Sequence, residues 1–144
     1  MVGMLLVSHG KMAEGMMDTL GMVMGKQERL DHVSLVMGED YDVFESEICD
    51  KIRELNDGDG VLVLVDLFGA SPFNVSQKAA HALEAEGIKV GILSGMNLGM
   101  VVEALAMRQG TSLDDVLAIA MNAGRTGIDV PARPETAQDD GDDY

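Results

Sequence analysis

Residues 5–12, LLVSHGKM, run apolar and then stop at a histidine set between a serine and a glycine. An imidazole at a strand end is either a solvated tip or a reagent, and it is a reagent when one ring nitrogen is held so that the other presents its lone pair. Asp66, which opens the segment DLFGASPFN at residues 66–74, is the carboxylate placed to hold His9 in that way. In the same segment Ser71 fits a helix N-cap and Pro72 the first helical position. The free N–H groups of that helix start, around Gly69 and Ala70, would then face the same crevice and attract an anion. Gly10 lets the chain turn away without covering the ring. Taken singly, Ser71 also reads as a plain cap, Asp66 as a loop carboxylate and His9 as an idle strand-end residue. Together they describe a group that accepts a phosphoryl unit on nitrogen and holds its oxygens with backbone donors, which requires no metal and no cofactor.

Bringing these residues together is the task of the surrounding elements. Short apolar runs at residues 2–7, 32–36, 61–65 and 88–93 alternate with amphipathic segments at residues 12–24, 41–55, 73–86 and 98–108. Continuous runs such as VLVLVD suit strands covered on both faces, whereas Phe44, Ile48, Ile52 and Leu55 recur at helical spacing. This βα alternation predicts an α/β fold: an open, doubly wound sheet of parallel strands with helices on both faces. With strand order 2-1-3-4, the first and third strands are neighbours and their loops flank the switch point where ligands settle. His9 and Asp66 would meet there. A third loop, SGMNLGM at residues 94–100, lies on the same side, with Asn97 capping the following helix or touching a partner. A further helix fits residues 113–123, with Ser112 and Asp115 spaced as a capping box, and GRTGIDV at residues 124–130 suggests a short final edge strand.

The 144 residues suit one domain, expected over residues 1–130, followed by PARPETAQDDGDDY at residues 131–144, which reads as a disordered acidic tail. A formal charge of −15 repels phosphate backbones and anionic headgroups, so nucleic acid is not expected as a partner and a basic protein is. The core must be aliphatic, since Trp is absent and Met occurs 12 times. The lone Cys49 reads as a small buried hydrophobe in a reducing compartment. No apolar stretch approaches the roughly 20 residues of a membrane span and the N-terminus lacks a signal-peptide pattern, so a cytoplasmic location is expected.

The segments VSHG with His9, DLFGASPFN with Asp66 and Ser71, and SGMNLGM closely resemble the enzyme IIA component of the mannose-family sugar phosphotransferase system (PTS), over about residues 1–130. The resemblance implies that His9 accepts a phosphoryl group from the histidine-containing phosphocarrier HPr and passes it to a IIB component. Asp66 would hydrogen-bond the ring and Ser71 would belong to the phosphate-binding loop. It also implies a homodimer in which an edge strand near the C-terminus is exchanged, a role that RTGIDV suits, with membrane IIC and IID components served only indirectly. Phe68 stands where some relatives carry tryptophan and Ala70 where glycine is usual; Phe68 and Asn97 are candidate partner contacts. Many relatives continue into a IIB domain through an Ala/Pro-rich linker, so IIB function is expected on another polypeptide.

Rival readings fit less well. Small cobalt or iron chelatases also begin with a strand-end histidine but need a second ligand histidine, and His32, read as lying just before the second strand, and His81, on the solvent side of its helix, both point elsewhere. Histidine phosphatases place arginine where Ser8 stands. GMVMGKQ at residues 21–27 is one residue short of a phosphate-binding loop and lacks Ser or Thr after Lys26; Gly25 instead ends a helix. The phosphocarrier subunit of dihydroxyacetone kinase shares the strand-end histidine but lacks FGASPFN. A regulatory binding module that docks through its acidic face is the non-enzymatic alternative.

Overall fold

The computed structural model describes residues 1–134. Nine elements follow one another: β1 (Gly3–His9), α1 (Met12–Met24), β2 (Leu30–Leu35), α2 (Tyr41–Leu55), β3 (Val61–Val65), α3 (Ser71–Glu84), β4 (Val90–Leu93), α4 (Leu98–Met107) and α5 (Leu113–Thr126). The strands form one parallel sheet in the order β2-β1-β3-β4, as the alternation of runs predicts.

The continuous apolar strands follow from the two faces they serve. Met4 and Leu6 of β1 and Leu62 and Leu64 of β3 pack with α1, α4 and α5 through Leu20, Val101, Ala104, Val116 and Ala120. Leu5, Val7, Val61, Val63 and Val65 point the other way, onto Phe44, Ile48 and Ile52 of α2 and Val75, Ala79 and Leu83 of α3. All five residues of β3 are buried, and each such aliphatic side chain contributes about 1.5–3 kcal/mol by leaving water. Cys49 belongs to the second core, and burial pushes its thiol above the usual range.

Helix ends follow local chemistry. Asp40 caps α2 by accepting from the N–H groups of Asp42 and Val43, Ser112 caps α5 by accepting from Asp115, and Gly25 closes α1. Three expectations are corrected. First, α3 starts at Ser71 with Ala70 as its N-cap, so Ser71 is the first helical residue, Pro72 the second, and no side chain caps the helix. Second, residues 124–130 form no strand: the apolar spacing Val116, Ala120, Gly124 carries α5 through to Thr126, and the irregular residues beyond leave Ile128 and Val130 exposed. Third, His32 lies inside β2, opposite Leu6, rather than just before the strand, with its Nδ1 buried, 3.6 Å from Asp31 Oδ1 and without a hydrogen bond. His81 is exposed, as expected. Of the tail expected over residues 131–144, residues 131–134 are irregular and exposed; residues 135–144 lie outside the described residues.

Candidate functional site

β1 and β3 are adjacent and parallel, with Val7 paired to Val65. Two residues beyond Val7 and one beyond Val65, His9 and Asp66 emerge side by side at the carboxyl edge. The ring Nδ1 of His9 lies 2.7 Å from Asp66 Oδ2. The same oxygen accepts from the His9 backbone N–H at 2.8 Å, and Asp66 Oδ1 accepts from the Leu67 N–H at 2.8 Å. Three N–H groups thus converge on one carboxylate, whose side chain is 10% exposed while the imidazole is 47% exposed. An ionised carboxylate only accepts, so the proton sits on Nδ1 and the lone pair on Nε2. The ring is clamped on one nitrogen and open at the other.

The flanking turns keep that second nitrogen accessible. Gly10 has φ of +49°, in the left-handed region that favours glycine, and its N–H donates to the Leu35 carbonyl. Ser8, wholly buried, accepts from the Ala13 N–H at 2.8 Å. It therefore fastens the first turn of α1 from upstream, a part sequence reasoning missed because Ser8 lies outside the usual cap position.

After Asp66 the chain forms a turn closed by Gly69, at φ +76°, and enters α3. The Asn74 side chain holds the Gly69 carbonyl at 3.0 Å, and the Ala70 N–H reaches the Leu67 carbonyl at 3.5 Å. The N–H groups of Gly69, Ser71 and Phe73 have no hydrogen-bond partner among the described residues. They form a donor array at a positively polarised helix end, suited to anionic oxygens. The Ser71 hydroxyl, expected as a cap, instead meets the phenol of Tyr41 at 2.8 Å. Nothing local in the sequence announces that contact, because Tyr41 is 30 residues upstream. Phe68 is 75% exposed and leans on Phe73, with ring centroids 4.8 Å apart. Asn97 caps α4 through the Met100 N–H at 3.0 Å and donates to the Gly124 carbonyl at 3.0 Å, so its amide is committed to the chain.

The sequence and fold have counterparts among known proteins. A family model, EIIA-man, described as PTS system fructose IIA component, matches residues 3–121. The chain belongs to this family. It is 31% identical over 128 residues, 88% of its length, to the PTS system mannose-specific EIIAB component of Escherichia coli K12, and covers 38% of that protein. The chain therefore spans well under half the length of that curated relative. Among solved structures, phosphotransferase system component EIIA from Streptococcus agalactiae superposes with a TM-score of 0.79 at 28% identity, covering 90% of this chain and 97% of that one. The mannose/sorbose-specific IIA subunit from Enterococcus faecalis does so with a TM-score of 0.79 at 25% identity, covering 93% and 97%. As a mannose-family PTS IIA domain, the chain shares its α/β fold with them, and in this chain His9 and Asp66 meet at one edge of the parallel sheet. No helix among the described residues is long and apolar enough to cross a membrane.

Proposed function

We propose that this IIA domain carries a phosphoryl group on Nε2 of His9, taking it from phospho-HPr and passing it to a IIB component during sugar uptake. The observation that carries the reading is the 2.7 Å contact between His9 Nδ1 and Asp66. The Nε2 lone pair attacks the phosphorus on the donor's histidine, the new N–P bond forms as the old one breaks, and the donor imidazole leaves with its electron pair. The His9 ring then carries a positive charge that Asp66 stabilises through Nδ1–H. The same step in reverse, with the IIB nucleophile attacking, discharges it. The unpartnered N–H groups of Gly69 and Ser71, the N–H of Ala70 and the Ser71 hydroxyl hold the phosphoryl oxygens, which leaves no step needing a metal or cofactor.

Phe68, exposed beside the site, is the side chain suited to touch a partner protein. The charge of −15 favours a basic donor, since complementary fields raise encounter rates. The unit that performs this is residues 1–130, acting in the cytoplasm and as a homodimer, with membrane IIC and IID components served only through IIB; light scattering tests the oligomeric state. The decisive experiment mixes the purified protein with phosphoenolpyruvate, enzyme I and HPr. An acid-labile phosphoryl appears on the native protein and is absent from His9→Ala; labelling of His9→Ala to the native level would overturn the assignment.

A further inference from the structure

α2 and α3 lie on the same face of the sheet and share one core. Their first residues are Tyr41 and Ser71, whose side-chain oxygens lie 2.8 Å apart. Burial does not force this contact, because Tyr41 is 54% exposed. Helix capping does not need it either: Asp40 already takes the free N–H groups of α2, and α3 opens without any side-chain cap. The hydroxyl pair is therefore not explained by the fold alone, and one of its members stands at the helix start that follows the Asp66 turn.

A serine hydroxyl has one hydrogen and two acceptor lone pairs. A phenol, with a pKa of about 10, is more acidic than an aliphatic alcohol and so the better donor of the two. With Tyr41 donating, one lone pair of Ser71 is filled and the serine hydrogen must go elsewhere. The adjacent N–H groups of Gly69 and Ser71 are donors and cannot receive it, so an incoming anionic oxygen is its natural acceptor. Donation from the phenol also polarises the serine O–H and strengthens what it donates.

Resting on the function proposed above, we infer that Tyr41 is a positioning residue for phosphoryl transfer: its phenol donates to Ser71 Oγ and thereby commits the serine hydrogen to a phosphoryl oxygen on His9. The gain is orientation secured in advance, since the Ser71 rotor no longer has to be frozen when the group arrives. Tyr41 itself touches no reacting atom.

The test uses Tyr41→Phe, which keeps the ring and removes one oxygen, alone and combined with Ser71→Ala. Each protein is charged through phosphoenolpyruvate, enzyme I and HPr. The charging rate, the lifetime of the phosphoryl group and its phosphorus-31 resonance are then recorded. Tyr41→Phe slows charging about three- to tenfold, the range expected for one misdirected hydrogen bond. It also shifts the phosphorus resonance, while the thermal midpoint stays within about 2 °C of the parent. Ser71→Ala does at least as much, and adding Tyr41→Phe to it changes nothing further, because the effect travels through the serine. If the native protein gains no phosphoryl on His9, the proposed function fails and this inference with it. If the native protein is charged but Tyr41→Phe matches it, charges faster, or is equally harmful in the Ser71→Ala background, the inference alone is overturned.

Discussion

The two ends of the sheet use polar groups in opposite ways. At the amino end, Arg108 is 2% exposed and its guanidinium donates to the backbone carbonyls of Val2 at 3.2 Å, Arg29 at 3.0 Å and Glu28. Burial pulls its pKa below the usual arginine value, but a guanidinium keeps its proton, so the charge is neutralised by carbonyl dipoles rather than lost. At the carboxyl end, Asp66 clamps only one nitrogen of His9, several N–H groups of the α3 start are unpartnered, and Leu67, Phe68, Val36 and Met37 are exposed. One end spends its hydrogen bonds on the chain, leaving Nε of Arg108 buried without a partner among the described residues; the other withholds them. Folding alone explains the first arrangement, and the second makes sense only if something else supplies the missing partners.

The largest expected effect tests the closed end. Arg108→Met removes the donors from a set of buried carbonyls while keeping much of the side-chain volume. The Val2 and Glu28 carbonyls lose this donor, while that of Arg29 keeps the Met4 N–H, and the variant costs about 3–4 kcal/mol of stability. Denaturant unfolding measures this, and the charging rate of the protein that remains folded stays at the native value. A large loss of charging in folded Arg108→Met would show that the two ends are not independent.

Asp66→Asn acts at the open end and reverses the pattern. Three N–H groups now face an amide with a single acceptor oxygen. If that oxygen serves the two His9 donors, the amide NH2 is turned against the Leu67 N–H; if it serves Leu67, the NH2 faces His9 and favours the tautomer that puts the proton on Nε2. Either way the nucleophile is poorly presented. Charging falls about 30-fold, equivalent to about 2 kcal/mol, with little change in the unfolding midpoint. Unchanged charging would remove Asp66 from the mechanism.

The same contrast explains what the sequence discloses. The bounds of α2 and β3 are read correctly because their apolar spacing is set by burial against one core, a local pattern with a global cause. The meeting of His9 with Asp66 is legible because parallel order alone puts those two loops together. By contrast, Tyr41 and Ser71 meet through two different loops, and neither residue's neighbours encode the other. Arg108 reads as an ordinary charged residue at the end of a helix, since nothing near it shows that the chain's start and the α1–β2 loop close over it. The segment at residues 124–130 misleads because Ile128 and Val130 suit a strand, whereas the buried face of α5 continues to Gly124.

Asn97 sharpens the comparison because its position and its bonding disagree. It follows β4 at the open end, beside the loop that bears on the site, yet both atoms of its amide are spent on the chain, as at the closed end. Replacing it by alanine removes the α4 cap and the tie to Gly124 together. A lost cap costs about 1 kcal/mol, so Asn97→Ala lowers stability by about that amount, read by denaturant unfolding. Bonding, not position, then decides its role: charging by HPr and discharge to IIB proceed at native rates once the folded fraction is accounted for. A selective slowing of discharge with stability unchanged would reverse that assignment, making the Asn97 amide a group held for a partner and moving the boundary between the two kinds of edge past β4.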